Sequence, residues 1–553
     1  MKRVLIYICT AVFALTGCIV NDIPYPVVVA NIISMEVEGA TNVDIDYTCR
    51  TITIHMPETA DLREVSIKSV EFSTDMAVPS MELVGTHDLT SPIKCVLKTY
   101  ADYTWKIVAV RDVDRYFTVK GQMGSAIIDD VNCRAIVMVG KNAFITNIEV
   151  TSLKLGPEGL SEYSLELSEM KDFTHGITVE VTAFDVTQVW TLFVEISEET
   201  VGIKKINPWA REVYVTSLGV SGVENGFRYR KKGDEDWIDV NESDITVDGG
   251  TFLAHIRSLE PETEYQVMAY CGTDETPVSD FTTTAAAQLP NSSFEYASKV
   301  SGSNYYKFYD PDCGVDEGAY MFWGSGNGEG VEGINGSGNL GIVITYVDED
   351  IKVDGNQSVR AQTSSMAGML AAGNIFTGQF AGLVGTSGGR VNFGRPWTTR
   401  PLALKMYCRY STGKMNIIKG FPDGVNLSGE DYDRAEIKIA LGTWDSRTYG
   451  GTKESPVYVN TTDSKTFVNF TTDPSTVADG NLIIHHDGYI LNGGEKNTCV
   501  TGEWVEYTIP LNYHNIDTVP THIIISCASS QFGDYFSGCD SSKLWIDKLE
   551  LIY

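Results

Sequence analysis

The chain contains no CxxC pair, and its eleven cysteines and eight histidines fall into no spacing that would hold zinc. The histidines are scattered, so no nucleophilic triad stands out in the sequence. Amphipathic helical runs of twelve or more residues are scarce. What remains is glycine in abundance and short runs of Val, Ile, Thr and Tyr, a composition that reads as all-β. Basic residues are also few: 42 Lys and Arg stand against 73 Asp and Glu, a formal net charge of -31. That argues against nucleic acid, whose phosphates need a basic surface, and against electrostatic docking on anionic lipid. The glycine-rich run 324–341 lacks the Gly-Lys-Ser/Thr ending of a phosphate loop, and no helical pattern follows it.

With 553 residues the chain is too long for one core and suits about three to five domains. It opens with Lys2 and Arg3, followed by an apolar run from Val4 to Leu15 that is too short to span a bilayer. Leu15-Thr16-Gly17-Cys18 then resembles the lipobox of bacterial lipoproteins. The resemblance implies a signal peptide over 1–17, lipidation of Cys18 and a tether over 18–32 containing Pro24 and Pro26. Several acyl chains on one residue anchor stably, because each buried methylene contributes about 0.8 kcal/mol. The place implied is the cell envelope, as an outer-membrane lipoprotein touching the membrane through lipid alone. An ordinary secretory signal containing a cysteine is the alternative. Of the nine cysteines left after Cys9 and Cys18, most read as buried thiols, and Cys527 and Cys539 are near enough in sequence to bridge a loop.

Residues 33–115 hold short alternating runs around Ile52, Ile54, Val65 to Phe72 and Trp105, the pattern of a small β-sandwich. Residues 116–202 repeat it: Asp46-Tyr47-Thr48-Cys49-Arg50 returns as Asp130-Val131-Asn132-Cys133-Arg134, and Trp105 as Trp190. These two modules resemble the paired immunoglobulin-like domains near the lipid anchor of Bacteroidetes surface proteins. Cys49, Cys133, Trp105 and Trp190 are expected in their cores. In 203–286, Leu259-Glu260-Pro261-Glu262-Thr263-Glu264-Tyr265 resembles the tyrosine corner of fibronectin type III domains, and Thr282 to Gln288 reads as a linker.

The most unusual stretch is Gly388 to Lys414. Arg395, Trp397 and Arg400 surround two prolines, and an alternating strand follows in which Leu402, Leu404, Met406 and Cys408 share one face while Lys405, Tyr407 and Arg409 share the other. The domain around it, 287–553, opens with Asn291-Ser292-Ser293-Phe294-Glu295 and closes with Leu544-Trp545-Ile546-Asp547-Lys548-Leu549. Phe376-Thr377-Gly378-Gln379-Phe380, Phe393-Gly394-Arg395-Pro396-Trp397 and Ala528 to Gly538 lie between. Together these resemble the putative carbohydrate metabolism domain, known mainly from gut Bacteroidetes lipoproteins. The fold implied is a jelly roll, carried behind three small sandwiches.

Sugar recognition needs flat apolar faces and planar hydrogen-bonding groups. Trp323, Trp397, Tyr407, Tyr410 and Tyr535 can supply the first, and Arg395, Arg400, Arg409, Arg434 and Glu436 the second. Each of these residues would serve equally well in core packing or structural pairing. The partner expected is a polysaccharide or oligosaccharide, in a polysaccharide-utilisation role. An adhesin or surface component with a protein partner is the alternative, and a glycoside hydrolase or lyase a third reading. Asp431, Asp433, Glu436, Glu503 and Glu506 are the carboxylates a hydrolase could use. Related jelly rolls often hold a structural calcium ion where first and last strands meet, and Glu295 and Asp547 occupy the matching positions. Asp310, Asp312 and Asp316 form a second, incomplete acidic loop, and His485-His486-Asp487 is a weak metal candidate. Nothing in the sequence sets the oligomeric state.

Overall fold

The computed structural model describes residues 28–553 except 310–320, 329, 331–332, 334–335, 367, 386–387 and 500–501. Cys18 and the acidic loop at Asp310 lie outside the described residues. Among the described residues the regular structure is almost all strand, arranged as sandwiches with separate apolar cores. Among the described residues no helix is long and apolar enough to cross a membrane.

In the first core the strand Thr51–Pro57 runs parallel to Asp102–Asp112, with Thr51 opposite Lys106. In the second, Arg134–Val139 runs parallel to Val186–Ile196, with Arg134 opposite Thr191. Parallel neighbours are the minority pairing in such sheets, so the shared feature supports duplication of one module. Trp105 and Trp190 are fully buried, one residue before the matching register positions. The cysteines differ from each other: Cys49 is exposed, against expectation, whereas Cys133 is half-buried and packs against the second core, although both sit in tight turns. Asp46 accepts the amide of Cys49, Asp129 accepts that of Asn132, and the next residues, Arg50 and Cys133, take left-handed φ values of 50° and 51°. The recurring segment is thus a capped turn, and its cysteines are not equivalent positions.

The third core, with Val213, Phe227, Ala254 and Val267, lies between a four-stranded and a five-stranded sheet. The hydroxyl of Tyr265 accepts the Glu260 amide at 2.9 Å and its ring stacks on Phe281, which pins the corner as the motif implied.

The C-terminal domain places a five-stranded sheet against a larger one. The smaller sheet runs Thr345–Asp348, Ser358–Gln362, Lys543–Ile552, Ala403–Ser411, Val505–Pro510. In the larger, Asn374–Val384, His522–Ala528, Ala435–Gly442 and Thr476–His485 are the central strands. Alternation sends Leu404, Met406 and Cys408 from one sheet, and Ile437, Ile439 and Leu441 from the other, into a shared core. Leu402 lies just before its strand and is exposed. Cys527 and Cys539 are free, buried thiols, so the loop between them has no bridge.

The third and C-terminal domains are locked together. The Arg400 guanidinium lies 4.5 Å from the Trp209 ring centroid and donates to Asn207 Oδ1, the Ile516 carbonyl and the Pro208 carbonyl at 2.7–2.9 Å. Asn207 in turn donates to Ile516 and Asp517, and Tyr513 packs on Trp209. The linker is tied as well: Gln288 exchanges two hydrogen bonds with Leu551, and Tyr553 donates to the Ala287 carbonyl. Arg400→Ala would remove the donor from Asn207 Oδ1 and the Pro208 carbonyl, at about 1–3 kcal/mol for each acceptor left unpaired, while the Ile516 carbonyl keeps its bond from Asn207. The expected outcome is faster proteolysis between residues 283 and 290, by tenfold or more, with the C-terminal domain still folded; an unchanged cleavage rate would show that the remaining contacts suffice.

Candidate functional site

The larger sheet has a second face, directed away from the main core. There Ala440, Trp444, Val457, Val459 and Ile524 make a small apolar floor, with Phe467 and Phe470 packed against it. The segment 467–471 and the loop 531–535 rise around a hollow of about 390 Å³, within the size range of ligand sites. Phe393, Phe467, Phe470 and Tyr535 supply rings. Glu436, Lys438, Asp479, Asn481, Gln531 and Asp534 supply polar groups.

Those polar groups are held in place. Glu436 Oε1 accepts from Asn481 Nδ2 at 2.9 Å and Gln531 Nε2 at 3.2 Å, while Lys438 Nζ lies 3.0 Å from Oε2. Asp479 accepts from Thr471 and pairs with His514 at 2.8 Å. Tyr535 meets Phe467 edge-on at 5.6 Å. The protein crowding Asp534 raises its carboxyl above the ordinary range, and Lys438 pulls it back; the group still touches solvent, which limits the rise. The hollow therefore combines fixed planar amides, one ammonium, three carboxylates and ring surfaces.

Of the residues singled out from sequence, Glu436 and Tyr535 line this hollow. Arg434 lies beside it, its guanidinium 5.1 Å from the Phe532 centroid. The others are placed elsewhere, for identifiable reasons. Trp323 is buried in the main core against Phe294 and Phe322, its indole donating to the Pro290 carbonyl at 2.8 Å. Arg395 is fully buried and clamps three segments, donating to backbone at Met321, Phe322 and Gly378 and to Ser455 Oγ. Trp397 packs on the main core beside Phe322, and Arg400 locks the domain interface. Tyr407 lies on the outer face of the smaller sheet and bonds Glu506, flanked by Lys405–Glu550 and by Arg409 against Trp545. That face is a paired sheet surface, not a ring-lined groove. Tyr410 is buried, with its hydroxyl on the Ser529 carbonyl.

The sequence-level carboxylates also separate. Asp433 is buried and accepts from Ser530, Ser542 and the amides of Arg434 and Cys539. Asp431 caps Ser428, while Glu503 and Glu506 are exposed. Asp479, Asn481 and Asp534 were missed. Asp479 and Asn481 are two apart in an otherwise apolar strand, a period-2 signal that places both on one face.

Glu295 and Asp547 do converge, on the loop 353–357. Glu295 accepts the amides of Asn356 and Gln357, and Asp547 Oδ2 accepts those of Val353 and Asp354. Gly355 has φ 59°, and a Cβ there would lie 2.3 Å from the Glu295 carboxylate, so glycine is required. Asp547 Oδ1 is buried without a hydrogen-bond partner, and burial raises that carboxyl. A hard cation would fit that one oxygen. Among the described residues, however, no group of three or more His, Cys, Asp or Glu gathers to hold a metal.

Residues 293–552 match the family described as "Putative carbohydrate metabolism domain". Over those residues the C-terminal domain is similar to this family, which supports a carbohydrate-related role. Among solved structures, a putative glycoside hydrolase from Bacteroides thetaiotaomicron is 15% identical, covers 96% of this chain and 98% of its own, and has a TM-score of 0.31. A second putative glycoside hydrolase, from Bacteroides vulgatus, is 21% identical over 47% of this chain and 96% of its own, with a TM-score of 0.30. The chicken CNTN1 FN1–FN3 domains are 10% identical over 46% and 99%, with a TM-score of 0.13. None of the curated proteins matches the chain.

Beside the hollow, His485 is held neutral. Burial first, then Arg434 and Lys496, lower its pKa from 6.5 to about 4. Between those values the unfolded chain binds the proton and the folded chain does not, so stability falls as pH drops from 6.5 to 4. Denaturant unfolding of the C-terminal domain at pH 7 and pH 4.5 should show a loss of about 2–3 kcal/mol from this group, absent in His485→Gln. Equal losses in both proteins would assign the pH dependence to other groups.

Proposed function

We propose that this chain is a lipid-anchored cell-envelope protein whose C-terminal jelly roll binds a glycan in the hollow on its larger sheet, in service of polysaccharide utilisation. One observation carries the binding reading. Glu436 is fixed by Asn481, Gln531 and Lys438 while Tyr535 and Phe467 wall the same space, so planar hydrogen-bonding groups meet ring faces. Sugar hydroxyls suit the first and sugar C–H patches the second. The family of residues 293–552 agrees with that chemistry. A second reading, glycoside hydrolysis, draws on one feature: Glu436 and Asp534 face the same hollow with Lys438 near both. The membrane attachment rests on Leu15-Thr16-Gly17-Cys18 behind a short apolar run. A structural calcium ion at Asp547 and Glu295 is a further part of the proposal, resting on the unpartnered Asp547 Oδ1.

The full chain, screened on a glycan array with and without calcium, should retain at least one polysaccharide. Tyr535→Ala should weaken that binding tenfold or more, about 1.4 kcal/mol. Trp397→Ala, being remote from the hollow, should leave the specific affinity of the folded fraction intact. The reverse pattern would move the site to the Trp397 end of the sheet. Release of reducing ends by the wild type, lost in Asp534→Asn, would establish hydrolysis. Calcium should raise the melting temperature of the wild type and not of Asp547→Asn; no rise would leave both carboxylates as loop caps.

For the anchor, expression of the full chain in a bacterium with lipoprotein processing should place it in the membrane fraction. Cys18→Ser should release it or leave it unprocessed. Membrane retention of a processed Cys18→Ser protein would overturn lipidation at that residue.

A further inference from the structure

A second hollow, of about 380 Å³, adjoins the first on the same side of the larger sheet, and Asp534 lines both. Its character is opposite. The walls are Ile342, Ile344, Leu370, Phe376, Phe380 and Leu383. The few polar side chains within it are already engaged with backbone. Asn374 accepts the Gly326 amide and donates to the Ala372 carbonyl, Ser337 donates to the Gly326 carbonyl, and Thr461 accepts the Gly389 amide. Among the described residues lining it, the one charged group is Asp534, at the boundary with the polar hollow. An occupant of this space gains by bringing carbon and hydrogen, and loses by bringing groups that need hydrogen bonds.

Glycines shape part of the wall. Gly389 lies in the strand Gly388–Phe393, and a Cβ there would meet the Phe380 ring at 3.4 Å. Its φ is an ordinary one, so a branched side chain can be introduced there without backbone strain, where it would occupy the hollow. Leu340, at the exposed end of the lining, is half open to solvent.

We infer that the two hollows form one amphipathic site, and that its ligand is a glycoconjugate: a sugar in the polar hollow carrying an alkyl, acyl or aryl substituent in the apolar one. The inference rests on the glycan reading of the polar hollow and narrows it to a ligand class. Neither hollow suffices alone for such a molecule. The polar one offers the ring surfaces, amides and charges that orient a sugar, and the apolar one offers area. Each methylene buried there raises affinity about fourfold.

The test uses matched methyl and octyl glycosides of glucose, galactose, mannose and xylose, below micelle-forming concentration, with 1,2-octanediol as the sugar-free probe. Binding to the full chain is read by titration calorimetry. For at least one sugar, the octyl glycoside should bind tenfold or more tighter than its methyl partner and tighter than the diol. Its heat-capacity change on binding should be more negative. Gly389→Val should erase the gain of the octyl chain and leave methyl-glycoside affinity unchanged. Leu340→Gln, a mild change at an exposed position, should reduce the gain if Gly389→Val fails to fold. Equal affinity for methyl and octyl partners would overturn the apolar subsite while sparing the glycan reading. Binding of the diol as tightly as of every octyl glycoside would overturn the joint ligand. Octyl glycosides binding alike whatever the sugar, with no loss in Tyr535→Ala, would overturn the glycan reading and this inference with it.

Discussion

The two faces of one strand organise the C-terminal domain. In Ala435–Gly442, Ile437, Ile439 and Leu441 enter the main core while Glu436, Lys438 and Ala440 face the other way. The backbone pleat makes these two sets inseparable: a one-residue slip would exchange them and bury a carboxylate and an ammonium among isoleucines. Burial of the core side therefore fixes the register, and the register presents Glu436 and Lys438 to the hollow. The neighbouring strand obeys the same rule, with Leu482 and Ile484 inside and Asp479 and Asn481 outside. Binding groups on such strands are positioned by the core's own stability and need no loop ordering.

Around that sheet, arginines act as fasteners more than as ligands. Arg395 gathers three segments through carbonyls, and Arg400 joins two domains. The planar guanidinium suits both tasks, since it offers five donors in a fixed fork. In both, carbonyl oxygens take part of the guanidinium's bonding edge, joined for Arg400 by an indole face. The consequence for function is geometric. These contacts tie the third domain to the C-terminal domain that carries the hollow.

Much of the architecture was legible because it depends on local pattern. Period-2 alternation, the Tyr265 corner and the buried tryptophans of the duplicated modules each follow from a few neighbouring residues. Cys49 was misread because a capped turn and a buried strand position can carry the same residue. Asp46 and Asp129 choose the turn, and Asx capping is a side-chain choice that apolar periodicity does not register. At the candidate site, Glu436 and Tyr535 were found, whereas Trp323, Arg395 and Arg400 drew attention for the chemistry they can do. A guanidinium that binds a sugar and one that binds carbonyls are the same residue in sequence.

By itself, the sequence determined the strand-rich class, the alternation that splits each strand into two faces, the tyrosine corner and the family resemblance of the last domain. These rest on contacts within a few residues or on motifs that survive as strings. Only the tertiary structure decided which outward face becomes a site. The smaller sheet's outer face closed on itself through Lys405–Glu550, Tyr407–Glu506 and Arg409 on Trp545. The larger sheet's was covered by loops from residues 467–471 and 531–535. The reason is the distance in sequence between the parts. The hollow joins residues from Phe393 to Tyr535, and which loop arches over which strand is set by long-range packing that no local pattern encodes.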